Sequence, residues 1–104
     1  MLNAKSSKLA LGTVQFGLNY GISNKNGLVN KDQARLILSQ AYKNKIDTID
    51  TAIAYGESEK VLGEIGVSNF NIVTKLPPLP EGLRDIQKWV FDNFYSSLYK
   101  LILL

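Results

Sequence analysis

The chain has 104 residues, no cysteine, no histidine and a net charge of +3. This length suggests a single domain, and an apolar share of 45% is ordinary for a globular core. The two missing residue types exclude disulfides, thiolate metal sites, zinc-histidine sites and a Ser-His-Asp triad within the chain, and the small, dispersed charge excess gives no phosphate-tracking stripe for a nucleic acid.

The opening MLNAKSSKLALG has only a short apolar run before Gly12. A secretory signal needs roughly 7–15 apolar residues there. KLALGT (8–13) reads as the first strand, and residues 14–29 read as loop, punctuated by Gly17, Gly21 and an Asn26-Gly27 turn signal. Lys5, Lys8, Lys25 and Lys31 read as solvated surface. Asn30 can cap a helix opening at Lys31. In that helix Ala34, Ile37, Leu38 and Ala41 fall at i, i+3, i+4 and i+7, one buried face, with a stop near Asn44.

KIDTID (45–50) is the second predicted strand. SEKVLGEIG (58–66) reads as a short helix with Glu57 and Glu59 near its positive end. In it Ser58 and Glu59 are expected to act as cap and dipole residues. FNIVTK (70–75) is the third predicted strand. LPPLPEG (76–82) can be neither helix nor central strand, because each proline lacks an N–H and biases the residue before it toward extended geometry. The prolines read as stiffening that loop. Residues 83–101 are expected to be helical, with Leu83, Ile86, Trp89, Val90, Phe94, Leu98 and Leu101 on one face and Trp89 as packing. The closing LYKLILL is far short of the ~20 apolar residues that span a bilayer.

Alternating strands and helices imply right-handed crossovers and a parallel sheet with helices outside. A doubly wound nucleotide-binding sheet would want G-x-G-x-x-G in a tight turn after the first strand. Gly12, Gly17 and Gly21 have the wrong spacing for that, and no phosphate-binding G-x-x-x-x-G-K-[ST] occurs. A (β/α)8 barrel instead collects polar residues on the loops leaving the C-terminal ends of its strands. Asp50 and Lys75 stand at two such ends. The expected fold class is therefore α/β: the N-terminal portion of a (β/α)8 TIM barrel, about three βα units, with the barrel not closed. Leu11, Ile46, Ile49, Ile72 and Val73 are expected to line its half-made interior.

In parallel neighbouring strands Asp50 and Lys75 share one rim, and a carboxylate facing an ammonium keeps both charged. Tyr55, five residues after Asp50, can fold back over that rim. A cation beside a phenol favours its ionised form and strengthens it as a proton donor. Such a group suits protonation of a carbonyl oxygen as hydride reaches its carbon. Plainer roles stay open for each residue. Asp50 can satisfy backbone N–H groups of a βα loop, Tyr55 can cover the core, and Lys75 can be plain surface.

LGTVQFGLNYGI, then Asp50-Thr51-Ala52-x-x-Tyr55-Gly56-x-Ser58-Glu59, then NIVTK, resemble the N-terminal part of the aldo-keto reductase family over roughly residues 8–101. The resemblance implies a (β/α)8 barrel and an NADPH-dependent oxidoreductase reducing aldehydes and ketones. It implies that Tyr55 is the general acid/base, Lys75 the cation that activates it, and Asp50 the partner of that lysine. It also implies that Gly12, Thr13 and Asp50 lie on the nicotinamide side of the cofactor. It implies a small-molecule carbonyl substrate; the absent cysteine fits the cytoplasm as compartment, and with histidine also absent no metal is expected.

The family's fourth catalytic residue is a histidine at the end of a fourth strand, and this chain holds no histidine. Residues 1–104 are thus expected to be a partial, C-terminally truncated domain that lacks most cofactor-binding loops and is inactive alone. The alternatives are a non-catalytic remnant that self-associates or binds a partner through its exposed sheet edge, and a small α/β binding module of unrelated role.

Overall fold

Asn30 starts the first long helix. Its side chain accepts from the Gln33 N–H at 2.8 Å while the Gln33 side chain accepts from the Asn30 N–H, a reciprocal capping box. In the computed structural model, which describes residues 7–19 and 27–103, helix α1 runs Lys31–Lys43. It ends as the sequence predicts: Lys45 takes a left-handed φ of 64°, its N–H donates to Tyr42, and the Ile46 N–H donates to Ala41. That is a Schellman closure carried out by a lysine where glycine is usual.

The other elements are β1 Leu11–Gly12, a 3₁₀ turn Val14–Phe16, β2 Thr48–Asp50, α2 Ser58–Ile65, β3 Asn71–Val73, α3 Ile86–Leu98 and a π turn Tyr99–Leu103. Gly21 and Asn26 lie outside the described residues, as do Lys5 and Lys25, whereas Lys8 and Lys31 are exposed. Lys31 pairs with Glu64 at 3.2 Å.

The strands lie in the order β1-β2-β3 and all run parallel. They are shorter than their sequence patterns, but pairing outlasts the formal strand ends. The N–H groups of Thr13, Thr51 and Ile53 donate to the carbonyls of Asp50, Val73 and Lys75. Among the described residues the sheet is open: three parallel strands of an unclosed α/β unit, as the sequence predicts.

Register decides which residues share a face, because side chains alternate along a strand. Leu11, Ile49 and Ile72 are aligned, and so are Gly12, Asp50 and Val73. The first set packs under the helices. Ile49 is fully buried in one cluster with Phe16, Ala34, Leu38, Leu62, Val67 and Leu101, and Leu11 and Ile72 lie against it. The expectation that Leu11, Ile49 and Ile72 line a barrel interior is therefore corrected: they face the helices. Val73, on the other face, is 48% exposed.

Two helix faces differ from expectation. In α1 the buried stripe is Ala34, Leu38 and Ala41, while Ile37 stands at its open flank. In α3 the expected apolar face is mostly bare, with Ile86, Val90 and Phe94 all exposed and Trp89 and Leu98 half-buried, and Leu83 lies before the helix rather than in it. The reason is geometric. Among the described residues the sheet ends at β3, so no strand lies across from that face. The C-terminal end is anchored instead, where Leu101 enters the core and the backbone of Lys100 meets α2.

That junction depends on Gly63. A methyl group there would sit 1.7 Å from the Lys100 carbonyl oxygen. Gly63→Ala should therefore lower the urea midpoint, by an overpacking cost of about 1–3 kcal/mol. Lys45→Gly should raise the midpoint through a gain in stability of about 1 kcal/mol, since glycine adopts the left-handed conformation without the steric penalty. Equilibrium unfolding of both variants checks the two directions together.

Candidate active site

β2 and β3 deliver their C-terminal ends to one rim, so Asp50 and Lys75 emerge side by side. Lys75 lies two residues beyond Val73, the register partner of Asp50. Two residues along a strand restore the same face, so the lysine leans back over the carboxylate. Its ammonium donates to Asp50 Oδ1 and, at 2.7 Å, to the Thr51 carbonyl. The same Nζ stands 5.3 Å from the centre of the Tyr55 ring. Tyr55 reaches it from a tight loop, in which its N–H donates to Ala52 and its carbonyl accepts from Ser58.

This loop also needs Gly17. A methyl group there would lie 1.6 Å from the Tyr55 carbonyl oxygen. The first βα loop thus passes directly under the tyrosine.

The electrostatics follow from the geometry. The hydrogen bond that Lys75 donates to Asp50 raises the lysine pKa above its ordinary 10.5; burial opposes this less strongly, and the Asp50 charge and the Tyr55 oxygen also raise it. Nearly half of each charged side chain remains accessible, at 44% for Lys75 and 45% for Asp50. The pair is therefore worth about 1 kcal/mol or less to stability. The arrangement keeps an ammonium fixed beside a phenol at neutral pH, which is what a positioned proton donor needs.

The two other predicted site positions differ in environment. Gly12 is exposed on the Asp50 face, and a methyl group there would meet no atom within 4 Å. Thr13 is fully buried. Its N–H and its hydroxyl both donate to the Asp50 carbonyl, at 3.1 and 2.9 Å, which ties β1 to the backbone of the carboxylate.

Ser58 and Glu59 do not cap α2. The N-cap is Glu57, which makes no side-chain cap bond. Ser58 is fully buried, with its Oγ 3.0 Å from Thr13 O, from Thr13 Oγ1 and from Thr51 Oγ1. Glu59 is buried too, and accepts from the Thr74 hydroxyl at 2.7 Å. Sequence reasoning assigned no site role to Thr51 or Thr74. Their available signal was a hydroxyl residue directly after one strand and directly before the lysine of another. Among the described residues no group of three or more His, Cys, Asp or Glu could hold a metal ion, and no helix is long and apolar enough to cross a membrane.

The sequence profile of the Aldo/keto reductase family matches residues 8–101. Two solved structures of candidate aldo-keto reductases from Pseudomonas aeruginosa resemble the chain. One is 31% identical with a TM-score of 0.74, and the chain's match covers 92% of this chain and 39% of that one. The other is 30% identical with a TM-score of 0.72, covering 92% and 37%. The chain thus spans about two fifths of their length. No curated protein matches it significantly.

Because folding raises the Lys75 pKa, the stabilisation linked to that shift is full below pH 10.5 while Asp50 carries its charge, and is lost as pH climbs through the higher folded value. A side-chain nitrogen NMR titration should place the Lys75 midpoint above 10.5. In Asp50→Asn it should fall back toward 10.5, because the leading cause of the shift is gone.

Proposed function

The chain belongs to the aldo/keto reductase family of oxidoreductases, and from that premise we propose that it carries the proton-transfer part of an NADPH-dependent carbonyl reductase site. Tyr55 donates the proton, Lys75 holds the phenol poised, and Asp50 fixes the lysine. The observation that carries this reading is the double engagement of one ammonium, bonded to Asp50 and set 5.3 Å from the Tyr55 ring. A phenol so placed delivers its proton to a carbonyl oxygen at the rim, and the charge left on the phenolate falls beside a fixed cation.

The residues fit one end of the cofactor. A methyl group at Gly12 would meet no atom within 4 Å, so the strand end beside Asp50 is unobstructed where a nicotinamide, when bound, would supply hydride to the carbonyl carbon. Among the described residues this rim offers the phosphate end no matching cradle. The rim N–H groups of Thr13, Thr51, Ile53, Tyr55 and Ser58 all donate to carbonyls of the chain itself, and Lys75 is engaged with Asp50. With no histidine in the chain and about two fifths of the relatives' length, residues 1–104 are read as a partial domain without turnover of its own. The substrate class is a small aldehyde or ketone, and the compartment the cytoplasm.

An NADPH fluorescence titration of the purified chain should show no saturable binding, and added aldehyde should cause no NADPH oxidation. Turnover by the chain alone that disappeared in Tyr55→Phe would overturn the partial-domain reading. The proton-transfer role has its own test. Residues 8–101, exchanged for the matching segment of the 31% identical Pseudomonas relative, should support carbonyl-dependent NADPH oxidation. Tyr55→Phe should lower that rate roughly 10²–10⁴-fold, the range for a lost general acid.

A second reading, self-association through the sheet edge, rests on a separate observation. Between β3 and α3 lies a hollow of about 140 Å³ lined by Ile72, Thr74, Phe94, Ser97, Leu98, Leu101 and Ile102. Among the described residues the buried Ser97 hydroxyl at its wall makes no hydrogen bond, and an apolar sheet edge favours pairing with another chain. Sedimentation velocity should find species larger than a monomer, reduced in Phe94→Lys. A sharp, thermally cooperative monomer would overturn this reading.

A further inference from the structure

We propose that Ser58 and Glu59, the first two residues of α2, are positioning residues that set where Asp50 and Lys75 stand by gripping the ends of all three strands. The inference deepens the proton-transfer reading of Asp50, Tyr55 and Lys75 and draws its functional meaning from it.

The bonds have a definite order. The Thr13 hydroxyl has a single proton, and it donates to the Asp50 carbonyl. The Ser58 hydroxyl lies against Thr13, within reach of both its carbonyl and its Oγ1. With that proton directed to Thr13, the Thr51 hydroxyl is the donor of the remaining bond, to Ser58 Oγ. One buried serine therefore joins the end of β1 to the end of β2. What it joins are the supports of the charged pair: Thr13 holds the Asp50 backbone, and Thr51 offers the carbonyl to which Lys75 donates.

Glu59 completes the grip on β3. It accepts from the hydroxyl of Thr74, the residue immediately before Lys75. Consecutive residues of a helix thus take hold of β1 and β2 through one side chain and of β3 through the next. A hydroxyl knot and a carboxylate buried to this degree cost desolvation unless their bonds are made, so each bond holds its strand end to one position. An ordinary helix cap would use solvent-facing groups and would leave the strand ends untouched.

The test follows the Lys75 nitrogen signal through an alkaline titration of the full chain, alongside unfolding in urea. Ser58→Ala and Glu59→Ala should each lower the Lys75 midpoint by about 0.5 pH, because a displaced strand end loosens the ion pair. Glu59→Gln, which keeps an oxygen acceptor for Thr74, should restore the wild-type midpoint. If Ser58→Ala does not fold, Thr51→Val removes one bond of the knot at matched shape and gives the same readout. Variants that lose stability while the Lys75 midpoint stays at the wild-type value would reduce Ser58 and Glu59 to structural residues and overturn the inference. The outcomes separate from those of the reading beneath it: a wild-type Lys75 titrating at its ordinary value would remove the charged pair itself.

Discussion

The ion pair between Asp50 and Lys75 exists because β2 and β3 are parallel and in register. Parallel strands bring both C-terminal ends to one rim, and the register sets Asp50 level with Val73. The two-residue period of a strand then returns Lys75 to the same face. A slip of one residue would turn the lysine toward the helices and leave the carboxylate without a cation. The tyrosine depends on the pair in turn, since it approaches the rim from a loop and meets an ammonium already held by Asp50 and the Thr51 carbonyl.

Register is itself held from two sides. On the helix face Leu11, Ile49 and Ile72 pack with Leu38, Leu62 and Leu101 in one apolar cluster, and a shifted strand would expose its isoleucine. At the rim, Thr13, Thr51, Ser58, Glu59 and Thr74 form buried polar links between α2 and the strand ends. Apolar packing is non-directional and tolerates small displacements, whereas hydrogen bonds are directional. The division suits a site: the core secures the sheet, and the polar links fix its working end.

The same sheet leaves one face and one edge open. The face of Gly12, Asp50 and Val73 has no layer opposite it among the described residues, and α3 presents Val90 and Phe94 beside the β3 edge without cover. The Ser97 hydroxyl, without a hydrogen-bond partner among the described residues, lies in the hollow where β3 and α3 part. These features belong together, because a parallel sheet is stable when both faces are covered and here one is covered.

Much of this was legible in the residues. Asn30 announced the start of α1, the 34-37-38-41 spacing its buried stripe apart from Ile37, and the alternation of elements the parallel order. The motif around Asp50 and Tyr55, with a strand ending at Lys75, named the three groups that meet. Local chemistry sufficed there, since capping and periodicity act within a few residues of the chain. The sequence could not say which strand face the helices would cover, because an isoleucine at position 49 suits either side of a parallel sheet. Nor could it show that Ser58 and Glu59 turn inward rather than cap their helix, since a serine and a glutamate at a helix start satisfy both roles. Those matters were decided by tertiary structure alone: burial next to other strand ends gives a hydroxyl and a carboxylate partners 7 to 45 residues away along the chain, beyond the reach of a local helix-start pattern.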